Sequence, residues 1–185
     1  MSKDSLVSDP PYLLFDHFMI AVDRPLYWDV TGILPGGRYI QFGTGNKPIH
    51  GFYNWDYDEW DMESGDPCPV EDGTVDGIVC YNTMDHISEP IRVLAEFQRI
   101  MKPGAWLVIV VPHYASELWH TDLTHKSRFG IDTWRNVFSE RHYTHKGVVA
   151  GHVDWHLEIT FNAIMGITER NTFLVTQFLK DEDDS

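Results

Sequence analysis

VDGIVCYNTMDHISEPIRVLAEFQRIMKPGAWLVIVV, residues 75–111, is the stretch whose reading decides the fold. Residues 75–81 hold Ile78, Val79 and Cys80 in a short apolar run of strand character. A helix follows. Ser88 stands where it can cap one, Pro90 suits a first turn, and Ile91, Leu94, Phe97 and Met101 recur at the spacing of one apolar stripe. Lys102-Pro103-Gly104 then stops it. Residues 106–111, WLVIVV, are apolar on both faces, as a central parallel strand covered by helices must be. Strand, helix and strand in this order predict a right-handed βαβ unit, and hence an α/β chain with a mostly parallel sheet.

Working outward, Tyr39-Ile40-Gln41-Phe42 is strand-like after the turn Pro35-Gly36-Gly37, and runs into Gly43-Thr44-Gly45-Asn46-Lys47-Pro48. Glycines at a strand's carboxyl end let a ligand approach the backbone closely, although a plain turn uses the same residues. No third glycine completes a dinucleotide fingerprint. Nine residues separate Phe42 from Phe52, too few for a crossover helix with its loops. The second strand, Phe52-Tyr53-Asn54-Trp55, ends at Asp56, thirteen residues beyond Gly43. A carboxylate there can accept both hydroxyls of a ribose diol; a solvated loop acid among Asp58, Glu59 and Asp61 is the competing reading. Towards the C-terminus a short helix is expected from Asp132 as N-cap through Trp134 to Phe138. Residues 157–165 and 172–179 are strand-like around 166–171, which predicts an antiparallel hairpin.

The 185 residues predict one domain over 12–180, between a loose polar leader at 1–11 and an acidic tail at 181–185. Hydrophobic residues make up 43% and aromatics 14%, with seven Trp, enough for a packed core. Lys and Arg number 14 against 28 Asp and Glu, a formal charge of -14 that repels phosphate backbones. A nucleic-acid partner is therefore disfavoured, although Lys126, Arg128, Arg135 and Arg141 could form a local basic groove. Cys68 and Cys80 are the only cysteines and show no metal or disulfide spacing, Cys80 reading as a small buried hydrophobe. No run approaches 18 apolar residues and the leader does not match a signal peptide, so a cytoplasmic protein without a membrane span is expected.

Several stretches taken together carry a resemblance. Ile40-Gln41-Phe42-Gly43-Thr44-Gly45-Asn46-Lys47-Pro48-Ile49, leading almost directly into Gly51-Phe52-Tyr53-Asn54-Trp55-Asp56, is similar to the opening of compact class I S-adenosylmethionine-dependent methyltransferases of the methyltransferase-domain-11 type. Asp61-Met62, Pro69-Val70-Glu71-Asp72-Gly73-Thr74-Val75-Asp76 and Asn82-Thr83-Met84-Asp85-His86-Ile87 resemble that group's later motifs in the same order. So do Arg99-Ile100-Met101-Lys102-Pro103-Gly104-Ala105, Val111-Pro112-His113 and Asp122-Leu123-Thr124-His125-Lys126. The departures are mild: Phe42, Thr44, Asp85, Ala105 and Leu123 stand where other residues are commoner. The resemblance covers roughly half the chain.

It implies the Rossmann-like class I methyltransferase fold, its last two strands forming the hairpin, with S-adenosyl-L-methionine across the carboxyl ends of the strands. Gly43, Thr44, Gly45 and Asn46 would approach its methionine part, Asp56 its ribose, Asp61 and Met62 its adenine. Tyr81 and Asn82 would form the floor near the sulfonium. For the acceptor's proton, His86, His113 and His125 are the candidate bases, with Asp122 orienting His125 or touching substrate; for His86 a packed, hydrogen-bonded histidine near the cofactor is the favoured reading over a catalytic one. The aromatic segment 114–119 and Trp134 would line the pocket of a small-molecule or polar-metabolite acceptor. A silent cofactor-binding module and a nucleic-acid or protein methyltransferase are the alternatives; no Asn-Pro-Pro-Tyr or Asp-Pro-Pro-Tyr follows residue 81 to mark base methylation. His113, His120, Asp122 and His125 lie within thirteen residues and are metal-ligand types, but in no tight ligand spacing, so no metal is assigned.

Overall fold

The computed structural model describes residues 36–46, 48–49, 51–138, 152–162 and 170–180. In chain order these form β1 (Tyr39–Phe42), β2 (Tyr53–Trp55), β3 (Val75–Tyr81), a 3-10 turn (Met84–His86), α1 (Pro90–Ile100) and β4 (Met101–Pro112). Then come α2 (Glu117–Thr121), α3 (Ile131–Phe138), β5 (His152–Asn162) and β6 (Arg170–Leu179). The leader at 1–11 and the tail at 181–185 lie outside the described residues.

One six-stranded sheet runs in the order β2-β1-β3-β4-β6-β5. β2, β1, β3 and β4 are mutually parallel, β6 is antiparallel to β4, and β5 is antiparallel to β6. Among the described residues the chain runs from β1 outward to β2, then returns past β1 to lay down β3. That reversal opens a crevice at the carboxyl ends of β1 and β3, where open α/β sheets bind ligands. β1 and β2 are parallel although only a short helix-free link joins them. Side chains replace the missing helix as the brace: the Ile49 N–H reaches Gln41 Oε1 at 2.7 Å and Asn54 Oδ1 at 2.9 Å, while Asn54 Nδ2 donates to the Ile49 carbonyl at 2.9 Å.

All four β1 residues are buried, as is every residue of β4 from Leu107 to Pro112, which is what central strands require. α1 covers them with Val93, Leu94, Phe97 and Ile100. The Phe97 ring stacks on Phe42 at 5.0 Å, and Phe42 meets Trp60 edge-on at 5.5 Å. Cys68 and Cys80 are both free and buried, and burial pushes the Cys68 thiol up to about 11.

Three local expectations are corrected. Ser88 does not cap α1: its hydroxyl donates to Glu63 Oε2 at 3.0 Å, and Glu89 holds the N-cap position without a side-chain bond. Met101 is buried but extended, because it pairs with Val75 across the sheet; the helix ends at Ile100, and Lys102-Pro103-Gly104 fall in a bulge before Trp106 pairs with Gly77. Asp132 sits inside the first turn of α3, since Gly130 and Thr133 close its start through Gly130 N–H to Thr133 Oγ1 and Thr133 N–H to the Gly130 carbonyl. At the far edge β5 starts at His152, five residues before the expected run, and the residues joining it to β6 lie outside the described part. Among the described residues no helix is long and apolar enough to cross a membrane.

Candidate cofactor and acceptor site

Gly43 follows β1 at φ +70°, and Gly45 has φ +53°, both in the left-handed region where a side chain is costly. Their surroundings differ. A Cβ on Gly43 would fall 2.0 Å from Thr83 Oγ1, whereas one on Gly45 would meet nothing within 4 Å. Gly43 is thus small so that the loops after β1 and β3 can pack; Gly45 borders open space. Thr44 anchors the loop to β2 through its N–H and hydroxyl, both bound to the Trp55 carbonyl at 3.2 and 3.1 Å. Asp56, exposed at the end of β2, accepts the Gly45 N–H at 2.8 Å, so the acid stands directly against the glycine loop. Asn46 is exposed beside them.

Asn82 lies across the crevice, just past β3. It is the one non-glycine with positive φ (+46°) among the described residues, and its N–H still reaches the Val110 carbonyl at 2.8 Å. That conformation costs about 1–3 kcal/mol and collects at functional positions. Its side-chain Oδ1 is buried with no hydrogen-bond partner. An unmet buried acceptor costs a further ~1–3 kcal/mol and asks for a donor from outside the protein. A glycine cradle over open space, a carboxylate beside it and an unsatisfied amide oxygen opposite are the features a ligand carrying an amino acid and a ribose requires. The residues present fit S-adenosyl-L-methionine. Tyr81 is half-buried, and burial pushes its hydroxyl up. Asp61 is half-buried and accepts the Glu63 N–H at 2.8 Å; the Met62 side chain enters the apolar core.

The candidate acceptor residues separate into two groups. His86, His125 and Asp122 come together around Asp85, which the sequence marked only as a departure from a commoner residue. Asp85 is fully buried at the 3-10 turn, and burial pushes its carboxyl up, with His86 and His125 pulling the other way. Its carbonyl accepts the Lys126 and Ser127 N–H groups at 2.7 and 3.0 Å, which folds the loop at 122–127 back onto the turn. His125 Nε2 then lies 2.9 Å from Asp85 Oδ2, and His86 Nε2 lies 3.6 Å from the same oxygen. His125 Nδ1 faces the Trp119 carbonyl at 2.9 Å, and a carbonyl can only accept, so the proton is on Nδ1. The Thr124 hydroxyl donates to Asp122 Oδ1 at 2.6 Å, so His86 Nδ1, 2.9 Å from the same Oγ1, is also a donor. Thr124's side-chain and backbone donors hold the Asp122 carboxyl below its usual range. His113 stands in another set of contacts: its Nδ1 accepts the Ala115 N–H at 3.2 Å and its ring lies 4.4 Å from Tyr114.

Thr83 and Thr124 were not legible as site parts, because each acts through a contact far apart in sequence, with Gly43 and His86; the Trp119 carbonyl was not, because it acts through its backbone, which the residue type does not reveal. The one available signal was Asp122-x-Thr124, an Asx turn whose Thr124 N–H reaches Asp122 Oδ1 at 2.8 Å. Of the residues that could form a local basic groove, Lys126 pairs with Glu63 at 2.9 Å and Arg128 lies over the Trp119 ring at 4.6 Å. The side chain of Arg135 and all of Arg141 lie outside the described residues, as does the Trp134 side chain.

Known proteins share this fold. The model of the methyltransferase domain family matches residues 15–147, well over half of the chain. An uncharacterized 37.1 kDa protein of a Streptomyces fradiae transposon is 34% identical over 58 residues, 30% of this chain; the match spans 17% of that protein's length. A S-adenosylmethionine-dependent methyltransferase of Methanosarcina mazei superposes with a TM-score of 0.58 at 11% identity, covering 86% of this chain and all of that one. A phosphoethanolamine N-methyltransferase of Haemonchus contortus, seen with phosphomonomethylethanolamine and S-adenosylhomocysteine, gives 0.51 at 9% identity over 80% of this chain and 50% of its own. The chain belongs to the methyltransferase domain family, with the Rossmann-like fold of class I methyltransferases and S-adenosyl-L-methionine as its cofactor.

Proposed function

We propose that the chain transfers the methyl group of S-adenosyl-L-methionine to a small polar acceptor held beside the Asp85 cluster. One observation carries the reading: Gly45, Asp56 and Asn82, from the ends of three neighbouring parallel strands, converge on one crevice, and Asn82 Oδ1 is left buried and unmet. Gly43, Thr44, Gly45 and Asn46 are assigned to the methionine part, Asp56 to the ribose, Asp61 and Met62 to the adenine side, and Tyr81 with Asn82 to the floor. When bound, the cofactor supplies a carbon already activated by positive sulfur. The chain's own task is then to align an acceptor and take up its proton.

In the metal-free protein His86 suits that task best. Its side chain is 36% exposed, its Nδ1 proton is held by Thr124, and its Nε2 lone pair remains for an acceptor hydroxyl or amine. His125, at 6% exposed with both nitrogens turned into the protein, is a positioning residue. His113, whose Nδ1 accepts the Ala115 N–H, is assigned to the acceptor side rather than to proton uptake. The acidic surface and the tethered Lys126 favour a small molecule over a nucleic acid. The test is methyl transfer from labelled cofactor into a panel of hydroxylated and amino metabolites, against duplex and single-stranded oligonucleotides. Label in a metabolite that falls at least about 100-fold with His86→Ala, while S-adenosylhomocysteine still binds, supports the reading. Label only in nucleic acid or protein overturns it.

A further inference from the structure

We propose that Asp85, His86 and His125 form a binding site for one divalent transition-metal ion, zinc being the first to try. The three residues bring one ligand atom each to within 4.8 Å of one another. Both imidazole Nδ1 atoms are committed as donors, to Trp119 O and Thr124 Oγ1, so both Nε2 atoms present lone pairs. The third atom is an oxygen of Asp85, a carboxylate at 0% exposure whose side-chain neighbours are the two imidazoles, His125 Nε2 at 2.9 Å and His86 Nε2 at 3.6 Å. The buried carboxylate and the two imidazole Nε2 atoms face one another, and one cation shared among them would hold all three. Donors around one zinc, each at about 2.0–2.2 Å, stand roughly 3–3.5 Å apart. The spacings of 2.9 and 3.6 Å from Asp85 Oδ2 to the two Nε2 atoms bracket that range.

The surroundings have the form of a metal site's outer layer. Metal-bound histidines hand the proton on their other nitrogen to a carbonyl, hydroxyl or carboxylate, which fixes the ring. Here Trp119 O serves His125, and Thr124, itself held by Asp122, serves His86. Two imidazoles and one carboxylate suit Zn²⁺ and its first-row neighbours better than Mg²⁺ or Ca²⁺. Three protein ligands leave a coordination position open, and His86, the exposed member, marks the side from which water or an acceptor's oxygen reaches it. With an ion bound, His86 becomes a ligand and no longer a base. The inference stands on these three side chains alone and does not require methyl transfer.

The test uses the full chain, stripped with a chelator and titrated with Zn²⁺ against a chromophoric competitor, with Co²⁺ absorption as an independent view of the ligands. One equivalent bound is expected. His86→Ala and Thr124→Val should each weaken it, the latter by about 10–100-fold as for other outer-layer losses. His120→Gln, an exposed histidine outside the cluster, should leave it unchanged. Retained S-adenosylhomocysteine binding shows that each variant is folded and keeps the cofactor reading separate from the metal reading. Absence of stoichiometric zinc in the parent chain overturns the proposal. So does zinc bound equally well by His86→Ala and Thr124→Val, or lost in His120→Gln.

Discussion

Gly43 and Gly45 share a backbone conformation but fail differently when substituted. Gly43→Ala drives a methyl into Thr83, so the loss should appear in stability, roughly 1–3 kcal/mol in a urea titration, and Thr83→Gly should restore part of it. Gly45→Ala meets no atom, so its stability cost should stay near about 1 kcal/mol while S-adenosylhomocysteine affinity falls further than that. Calorimetry beside the melt distinguishes the two. At this scale the sequence showed the residue types but not their partners. The position of Asp56, a carboxylate at a strand end beside a glycine loop, was legible because local order sets it. Asp85 was not, because its importance comes from His125, forty residues on, and from complete burial.

Arg99, at the end of α1, binds a loop rather than a ligand. Its guanidinium reaches the Cys68 carbonyl at 2.7 Å, the Val70 carbonyl at 3.0 Å, Glu96 at 2.8 Å and Asp72, so one side chain fastens residues 68–72 to the helix. Arg99→Met should cost about 2–3 kcal/mol by urea titration, since charged hydrogen bonds are lost and two carbonyls are left unmet. Phe97→Ala, which empties the space between Phe42 and Trp60, should cost about 3–5 kcal/mol. Elements with strong periodicity were legible: residues 39–42 and 75–81 form the expected strands, and the stripe through Leu94 and Phe97 faces the core. The helix boundaries were not, because they depend on tertiary competition. Glu63 draws Ser88 away from its cap, and Val75 takes Met101 into the sheet. α2, five residues capped by Ser116 onto Leu118 N–H, was too short to leave a periodic signal.

Across the whole molecule the sheet sets the ends of its parallel strands against an acidic chain, and that charge gives its pH response a sign. Burial raises the Asp76 carboxyl, but Lys102 and the Arg38 N–H outweigh it and hold it below its ordinary value. Hydrogen bonds from Arg99 hold Glu96 below its own, against an opposing effect of burial. A carboxylate lowered in the folded state contributes stability that is present above the unfolded value, about 4, and lost as pH falls through it. Urea midpoints should therefore fall between about pH 5 and 3, and Asp76→Asn should lower the midpoint at pH 7 while flattening that slope. The central claim, that the crevice at the ends of β1, β2 and β3 holds the cofactor, is tested most directly by titration calorimetry with S-adenosylhomocysteine on the parent chain and on Asp56→Ala. Binding by the parent that weakens about 10–100-fold in the variant, with melting unchanged, is the predicted result. A folded parent chain that binds no S-adenosylhomocysteine, or an Asp56→Ala variant that binds it as well as the parent, would contradict it.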